Sequence, residues 1–172
     1  KSVDGVQAGS TNTSVLVATN FTFNNINASG TLDTDKQIAL TDYDMLTSLS
    51  SSNPKKLNDG DPNTYIYSYL YYDPQFVIKF KSAKTLSGVG ILSSFTSYGY
   101  GVKKVTVETS LDGKSWTNMG TATATTQYDD DTSFPIVFSS PVKCQYVRLS
   151  HIETFDTGDY PLFAISEIGA YE

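Results

Sequence analysis

The chain has 172 residues, of which 17% are charged and 39% apolar, with a formal net charge of −6. This length and balance give one globular domain that can bury its own core, and they exclude a disordered chain. A single cysteine (Cys144) and a single histidine (His151) exclude a disulfide framework and multi-Cys or two-His metal sites, and the acidic balance with a single arginine (Arg148) argues against a phosphate-reading nucleic-acid surface. No apolar run approaches membrane-spanning length, and the acidic balance disfavours anionic membranes, so no membrane insertion is expected.

The polar residues are mainly Ser, Thr, Asn, Asp and Tyr, with only four Glu. Such surfaces are common on secreted and cell-surface proteins, and that is the expected location. The chain opens on Lys1 rather than Met and reads as a piece of a longer, multidomain protein, itself monomeric. Residues 1–36 are Thr-, Asn-, Ser- and Gly-rich around one apolar stretch. They are either a strand added at 15–23 or the end of a preceding linker. The need to bury Val15, Val17, Phe21 and Phe23 favours the strand. Asn12, Asn20 and Asn27 open N-x-S/T triplets, which a eukaryotic secretory host would glycosylate.

Residues 37–172 read as the domain proper. Phe76, Ile78 and Phe80 alternate with Gln75, Val77 and Lys79, the period-two pattern of a half-buried strand. A second strand follows at 85–93. Val105 and Val107 alternate with Lys104, Thr106 and Glu108. Asp112-Gly113 then marks a tight hairpin turn into 115–119, because Gly supplies the positive φ such a turn needs. Strands at 121–126 and 134–138 come next. Val147 and Leu149 alternate with Tyr146, Arg148 and Ser150, and an apolar run at 163–171 closes the chain. Between them, Asp129-Asp130-Asp131 reads as a solvated, self-repelling loop. Many short strands punctuated by Gly, Pro, Asn and Asp predict an all-β sandwich or barrel.

Three stretches, in order, resemble the discoidin-like domain, also called the coagulation factor 5/8 type C domain, whose bacterial members include galactose-binding-type carbohydrate-binding modules. The first is Asp59-Gly60-Asp61-Pro62-Asn63-Thr64. The second is the strand from Val105 to Ser110 continuing through Asp112-Gly113 to Trp116. The third is Tyr146-Val147-Arg148-Leu149 followed by Ile165-Ser166-Glu167-Ile168. The likeness covers roughly residues 38–172. It departs from the family pattern at Ile66, where a Trp is usual, and at Lys79-Phe80-Lys81. It implies an antiparallel β-sandwich of jelly-roll, galactose-binding-domain-like type.

The acidic loop has a chemistry of its own. Gly60 permits a sharp turn that folds successive oxygens around one point, and carboxylate, hydroxyl and carbonyl oxygens suit calcium. Glu167 interrupts the apolar run 163–171, where a bare carboxylate would be costly. The resemblance implies one structural calcium held by the Lys56 carbonyl, the Asp59 carboxylate, the Asp61 carbonyl, both oxygens of Thr64, the Ser166 carbonyl and the Glu167 carboxylate. A plain Asp-Gly turn with a surface Glu is the alternative.

Aromatic residues crowd segments that read as loops, and sugars need both rings for their C–H faces and polar groups for their hydroxyls. The expected ligand rim is 69–73, 95–100 and 154–160, with Tyr69, Tyr71, Phe95, Tyr98, Tyr100, Phe155, Asp156 and Tyr160 as candidates. His151 at its strand end is a further candidate. Tyr98, Tyr100 and Phe155 are expected exposed, whereas Tyr65 and Tyr67 are expected to point into the core. Trp116 is expected in the core, Cys144 as an inert buried thiol, and Arg148 as a fixer of a carboxylate or of loop carbonyls.

The leading functional expectation is a non-catalytic module binding neutral sugars of the galactose or N-acetylhexosamine type. The acidic charge disfavours polyuronates and sulfated glycans. A protein- or cell-adhesion module using the same loops is the alternative. A hydrolase is disfavoured because no Ser/His/Asp constellation can be placed and the resemblance implies no catalytic carboxylate. Phospholipid binding wants basic and aliphatic loop tips, and these are acidic and tyrosine-rich.

Overall fold

The computed structural model describes residues 21–23, 26–27, 32–130 and 133–172. Among the described residues nine strands follow in order: β1 (Phe21–Phe23), β2 (Ile26–Asn27), β3 (Tyr43–Thr47), β4 (Ile66–Tyr69), β5 (Phe76–Ser93), β6 (Val102–Ser110), β7 (Thr117–Ala124), β8 (Ser133–Thr154) and β9 (Leu162–Tyr171). Every pairing between them is antiparallel.

The long strands β5 and β8 turn two layers into one continuous hydrogen-bonded ladder. Phe76 to Lys79 pair with Leu149 to Tyr146, the register then breaks, and Lys84 to Leu92 pair with Cys144 to Ser133. One layer therefore runs β3, the first part of β5, the last part of β8, β6, β7 and β1. The other runs β4, β9, the last part of β5, the first part of β8 and β2. The result is an antiparallel β-sandwich, as expected. The expected strands at 76–80 and 85–93 are one bent strand, and so are those at 134–138 and around 147–149. The exposed Lys81-Ser82-Ala83 stretch looks like a turn in sequence because the bend between layers faces water. The 115–119 and 121–126 segments likewise merge into β7.

The alternating residues face inward as the pattern requires. Phe76, Ile78, Phe80, Val105, Val107, Val147 and Leu149 are all buried. Phe76 meets Phe163 of the opposite layer edge to face at 5.8 Å, and the Tyr43 hydroxyl donates to the Ile168 carbonyl at 2.8 Å. These contacts fasten the layers through rings whose burial adds to that of the surrounding aliphatic core.

Cys144 is buried, and burial pushes its thiol up to about 11, so it is an inert thiol. Arg148 donates from Nε to Glu108 Oε2 at 2.7 Å, the carboxylate partner expected for it. Trp116 is a correction. It lies half-buried beside Tyr146, with the Arg148 guanidinium 4.2 Å from its ring centroid. It covers the Arg148–Glu108 pair on the flank of the sheet, because a planar cation is well matched by an indole face.

The expected 15–23 strand lies outside the described residues except for Phe21–Phe23, which pairs with β7. Asp131, of the acidic triplet, also lies outside them.

Candidate functional site

Two neighbouring constellations meet at edge strand β4. The first is the loop that precedes it. Asn58 is buried, and its Nδ2 donates to the carbonyls of Leu40 (3.2 Å) and Tyr43 (2.9 Å), so the loop's base is bolted to the core. Gly60 takes φ +79°, a value that favours glycine, and lets the chain double back. The Asp61 N–H donates to Asp59 Oδ1 at 2.9 Å. Thr64 Oγ1 lies 2.7 Å from Asp59 Oδ2, 3.2 Å from the Asp61 carbonyl and 3.5 Å from the Lys56 carbonyl. One hydroxyl proton thus faces three acceptors.

Glu167 of β9 completes this excess of oxygen. It has 0% exposure, and neither carboxylate oxygen makes a hydrogen bond of good geometry, although the Asp59 carboxyl and the Gly60 N–H face it closely enough to act on its protonation. Burial first, and then the negative charge of neighbouring Asp59, push its carboxyl up to about 9. Ser166, beside it, donates its hydroxyl to the Leu92 carbonyl at 3.2 Å, which fixes the local run of β9. Among the described residues no three His, Cys, Asp or Glu side chains converge on one point. The cluster consists instead of two carboxylates, a hydroxyl and main-chain carbonyls.

The second constellation is aromatic. Phe95 at φ +55° and Gly99 at φ +86° frame a short turn over Thr96–Tyr98. A Cβ at Gly99 would meet the Asp156 main-chain nitrogen at 2.9 Å, so this position needs glycine both for its φ and for the close approach of the 155–156 backbone. The turn is held from beneath. Asp130 Oδ1 accepts from the Thr96 N–H (2.7 Å) and the Thr96 hydroxyl (2.5 Å), and Gln127 Nε2 donates to the Thr96 carbonyl. Asp130 is exposed, as is Asp129, in keeping with a solvated loop, and through these bonds it also anchors the turn.

Above this anchor Phe95, Tyr98, Tyr100, Tyr65 and Tyr67 line a concave pocket of about 260 Å³. Tyr65 and Phe95 meet edge to face at 5.0 Å, Tyr67 and Tyr100 lie 5.9 Å apart, and Tyr98 stacks on Tyr100 at 5.9 Å. Tyr98 is 70% exposed. The expectation that Tyr65 and Tyr67 enter the core is overturned. Ile66 is the buried residue of β4, while Tyr67 is 50% exposed. Period-two alternation was present, but its phase was ambiguous between a row of Tyr and the opposite row of Ile66 and Ser68.

The remaining candidates separate. Tyr69, Tyr71 and Tyr160 are exposed and gather beside the pocket, with Tyr72. Phe155 is half-buried against Tyr128 at 6.1 Å, with Lys103 Nζ 5.9 Å from its ring, so it is packed and not an exposed platform. Asp156 closes its own loop, accepting from the Gly158 N–H and the Leu162 N–H, each at 2.9 Å. His151 sits at φ +50° where the β6–β8 register slips, and its Nδ1 lies 3.1 Å from Ser150 Oγ. No ring contact joins it to the tyrosines among the described residues.

The family profile of the F5/8 type C domain matches residues 41–165. No curated protein matches the sequence. Solved structures do. One is CBM32-3 from a family 31 glycoside hydrolase of Clostridium perfringens, at 21% identity and TM-score 0.68, covering 80% of this chain and 95% of that one. Another is the family 32 carbohydrate-binding module of NanJ from C. perfringens in complex with galactose, at 14% identity and TM-score 0.61, covering 80% and 98%. A third is the CBM32 of AlyQ in complex with 4,5-unsaturated mannuronic acid, at 16% identity and TM-score 0.59, covering 74% and 93%.

Proposed function

The chain belongs to the F5/8 type C domain family, and from that membership we propose that it is a non-catalytic carbohydrate-binding module of a secreted or cell-surface protein, taking neutral sugars in the tyrosine pocket. The observation that carries this reading is the pocket itself. Five rings converge on a hollow of about 260 Å³ whose lining bears no charged side chain. Ring faces match the C–H faces of a pyranose, and the phenolic hydroxyls can pair with its hydroxyls. Galactose on one similar module and an unsaturated uronic acid on another show that these folds take sugars of different charge. The uncharged lining and the net charge of −6 favour the neutral kind here.

Calcium at the acidic loop is the second part of the reading. The Lys56 and Asp61 carbonyls, Asp59 and Thr64 already cluster, and an unpartnered buried Glu167 adjoins them. Such an all-oxygen set with more acceptors than protons fits a hard dication, which would neutralise the two carboxylates and tie the loop to β9. Thr64, Tyr65 and Ile66 are consecutive, belonging to the oxygen cluster, the pocket and the core. Ordering the loop would thus steady one wall of the sugar pocket without the ion touching sugar.

A glycan-array screen of the full chain, followed by calorimetry on its best neutral sugar, tests the reading. Affinity on the order of 0.1–1 mM is expected for a shallow site holding one ring. Absence of any glycan binding, or binding that survives loss of the Tyr98 ring, would remove it.

A further inference from the structure

The pocket does not end at Tyr67. Tyr67 and Tyr69 stand two residues apart on edge strand β4, both exposed, so they project to the same side roughly 7 Å apart. Tyr67 belongs to the ring group of Tyr100 and Tyr98. Tyr69 opens a second group: Tyr160 lies 6.4 Å from it, Tyr71 5.8 Å, and Tyr72 lies 4.0 Å from Tyr71. Tyr71, Tyr72 and Tyr160 are 63%, 55% and 69% exposed, an unusual concentration of ring surface left in water.

A groove of about 500 Å³ is lined on one side by Tyr69 and Tyr72 of this second group, and Tyr67 lines both it and the pocket. Its other wall is the 48–51 turn. The side-chain hydroxyls of Ser50 and Ser51 have no protein partner among the described residues, and no charged side chain lines the groove. Rings on one wall and unpaired hydroxyls on the other, continuous with a sugar-sized hollow, describe a track for a chain of hydroxylated rings.

We propose that pocket and groove together bind a neutral oligosaccharide along its length, with the pocket holding one ring and the Tyr69–Tyr72 platform holding a ring further along the same chain. This rests on the carbohydrate reading of the pocket and adds the form of the ligand: a stretch of glycan chain, not a lone sugar. A pocket that read only a terminal sugar would gain nothing from added rings. A track gains a stacked ring and a set of hydroxyl partners with each platform reached.

The test is calorimetric titration of the full chain with three neutral ladders, each from one to six rings: galactose with β-1,4-galacto-oligosaccharides, mannose with β-1,4-manno-oligosaccharides, and N-acetylglucosamine with chito-oligosaccharides. On a ladder that binds, affinity is expected to rise by about tenfold or more between one and four rings, the return for a well-stacked extra ring. Tyr72→Ala, and the double variant Tyr71→Ala/Tyr72→Ala, should flatten that rise while leaving monosaccharide affinity and melting temperature near those of the parent. Tyr98→Ala should weaken every length alike. A monosaccharide that binds as tightly as its hexamer, or a length dependence untouched by the double variant, overturns the track while leaving the pocket standing. Failure of all three ladders at every length would overturn the track, and an empty glycan array beside it would remove the carbohydrate reading as well.

Discussion

The acidic loop and the tyrosine rim flank the same short strand, yet they are unfinished in opposite ways. At the loop, oxygen is in excess: one Thr64 hydroxyl faces three acceptors, and Glu167 is buried with neither oxygen paired. At the rim, ring surface is in excess, with Tyr67, Tyr71, Tyr72, Tyr98 and Tyr160 at least half exposed. A buried unpaired carboxylate destabilises the fold itself, whereas exposed rings cost the fold little. On the proposed reading, a cation bound at the loop should act on stability, and a sugar bound at the rim should leave the fold itself little changed.

The largest expected effect is therefore thermal. With calcium at a hundredfold excess over its dissociation constant, stability should rise by about 2.7 kcal/mol, on the order of 5–10 °C in Tm for a chain of this size. Calorimetry after chelation and after readdition checks this. Asp59→Ala should remove the response, and an unchanged Tm in a verified metal-free sample would end the calcium reading.

The pH dependence of the metal-free fold comes next. Glu167 holds its proton up to about pH 9 in the folded state, whereas in the unfolded chain it releases it near its ordinary value. Between those limits the folded state binds the extra proton, so stability falls as pH rises, by at most about 1.4 kcal/mol per pH unit from this group. Below the ordinary carboxylate range the penalty vanishes. Urea melts of metal-free protein at pH 5 and pH 8 should show it, and Glu167→Gln should flatten the slope and raise metal-free stability. Equal slopes in parent and variant would show that Glu167 is not the group responsible.

Changes at the rim should reverse this pattern. Tyr98→Ala should weaken sugar binding severalfold or more with Tm nearly unchanged, since its ring is mostly in water. A Tm loss as large as that of Asp59→Ala would erase the contrast between the regions. The smallest effect belongs to Asp130→Ala, which removes both bonds to Thr96. It should loosen the turn and lower sugar affinity by a few-fold, about 1 kcal/mol, while Asp130→Asn retains part of that affinity. Titration calorimetry of the pair separates positioning from simple loss of charge.

The sandwich was legible where side chains alternate cleanly. Phe76, Ile78 and Phe80 point inward as their spacing requires, and the acidic loop and the Tyr-Val-Arg-Leu strand carried the family. β3 escaped because Leu46, 46% exposed, hides the alternation of its buried neighbours Tyr43 and Met45. The unusual position of Glu167 in an apolar run was visible from residue types alone. The rim was legible only as a concentration of rings. Which of them are exposed depends on contacts remote in sequence, such as Tyr128 covering Phe155 and Asp130 gripping Thr96 across 34 positions. Alternation gives a strand's period, and only its neighbours set the phase, which is why Tyr65 and Tyr67 fell on the other side of β4.

The most direct test of the central claim is an amide-detected NMR titration of the calcium-loaded full chain with the best neutral sugar from a glycan array. The tyrosine pocket predicts saturable shifts at residues 65–67 and 95–101, spreading to 69–72 as the glycan lengthens. Saturable shifts that cluster instead at the 109–117 hairpin or around His151, with residues 95–101 silent, would contradict it.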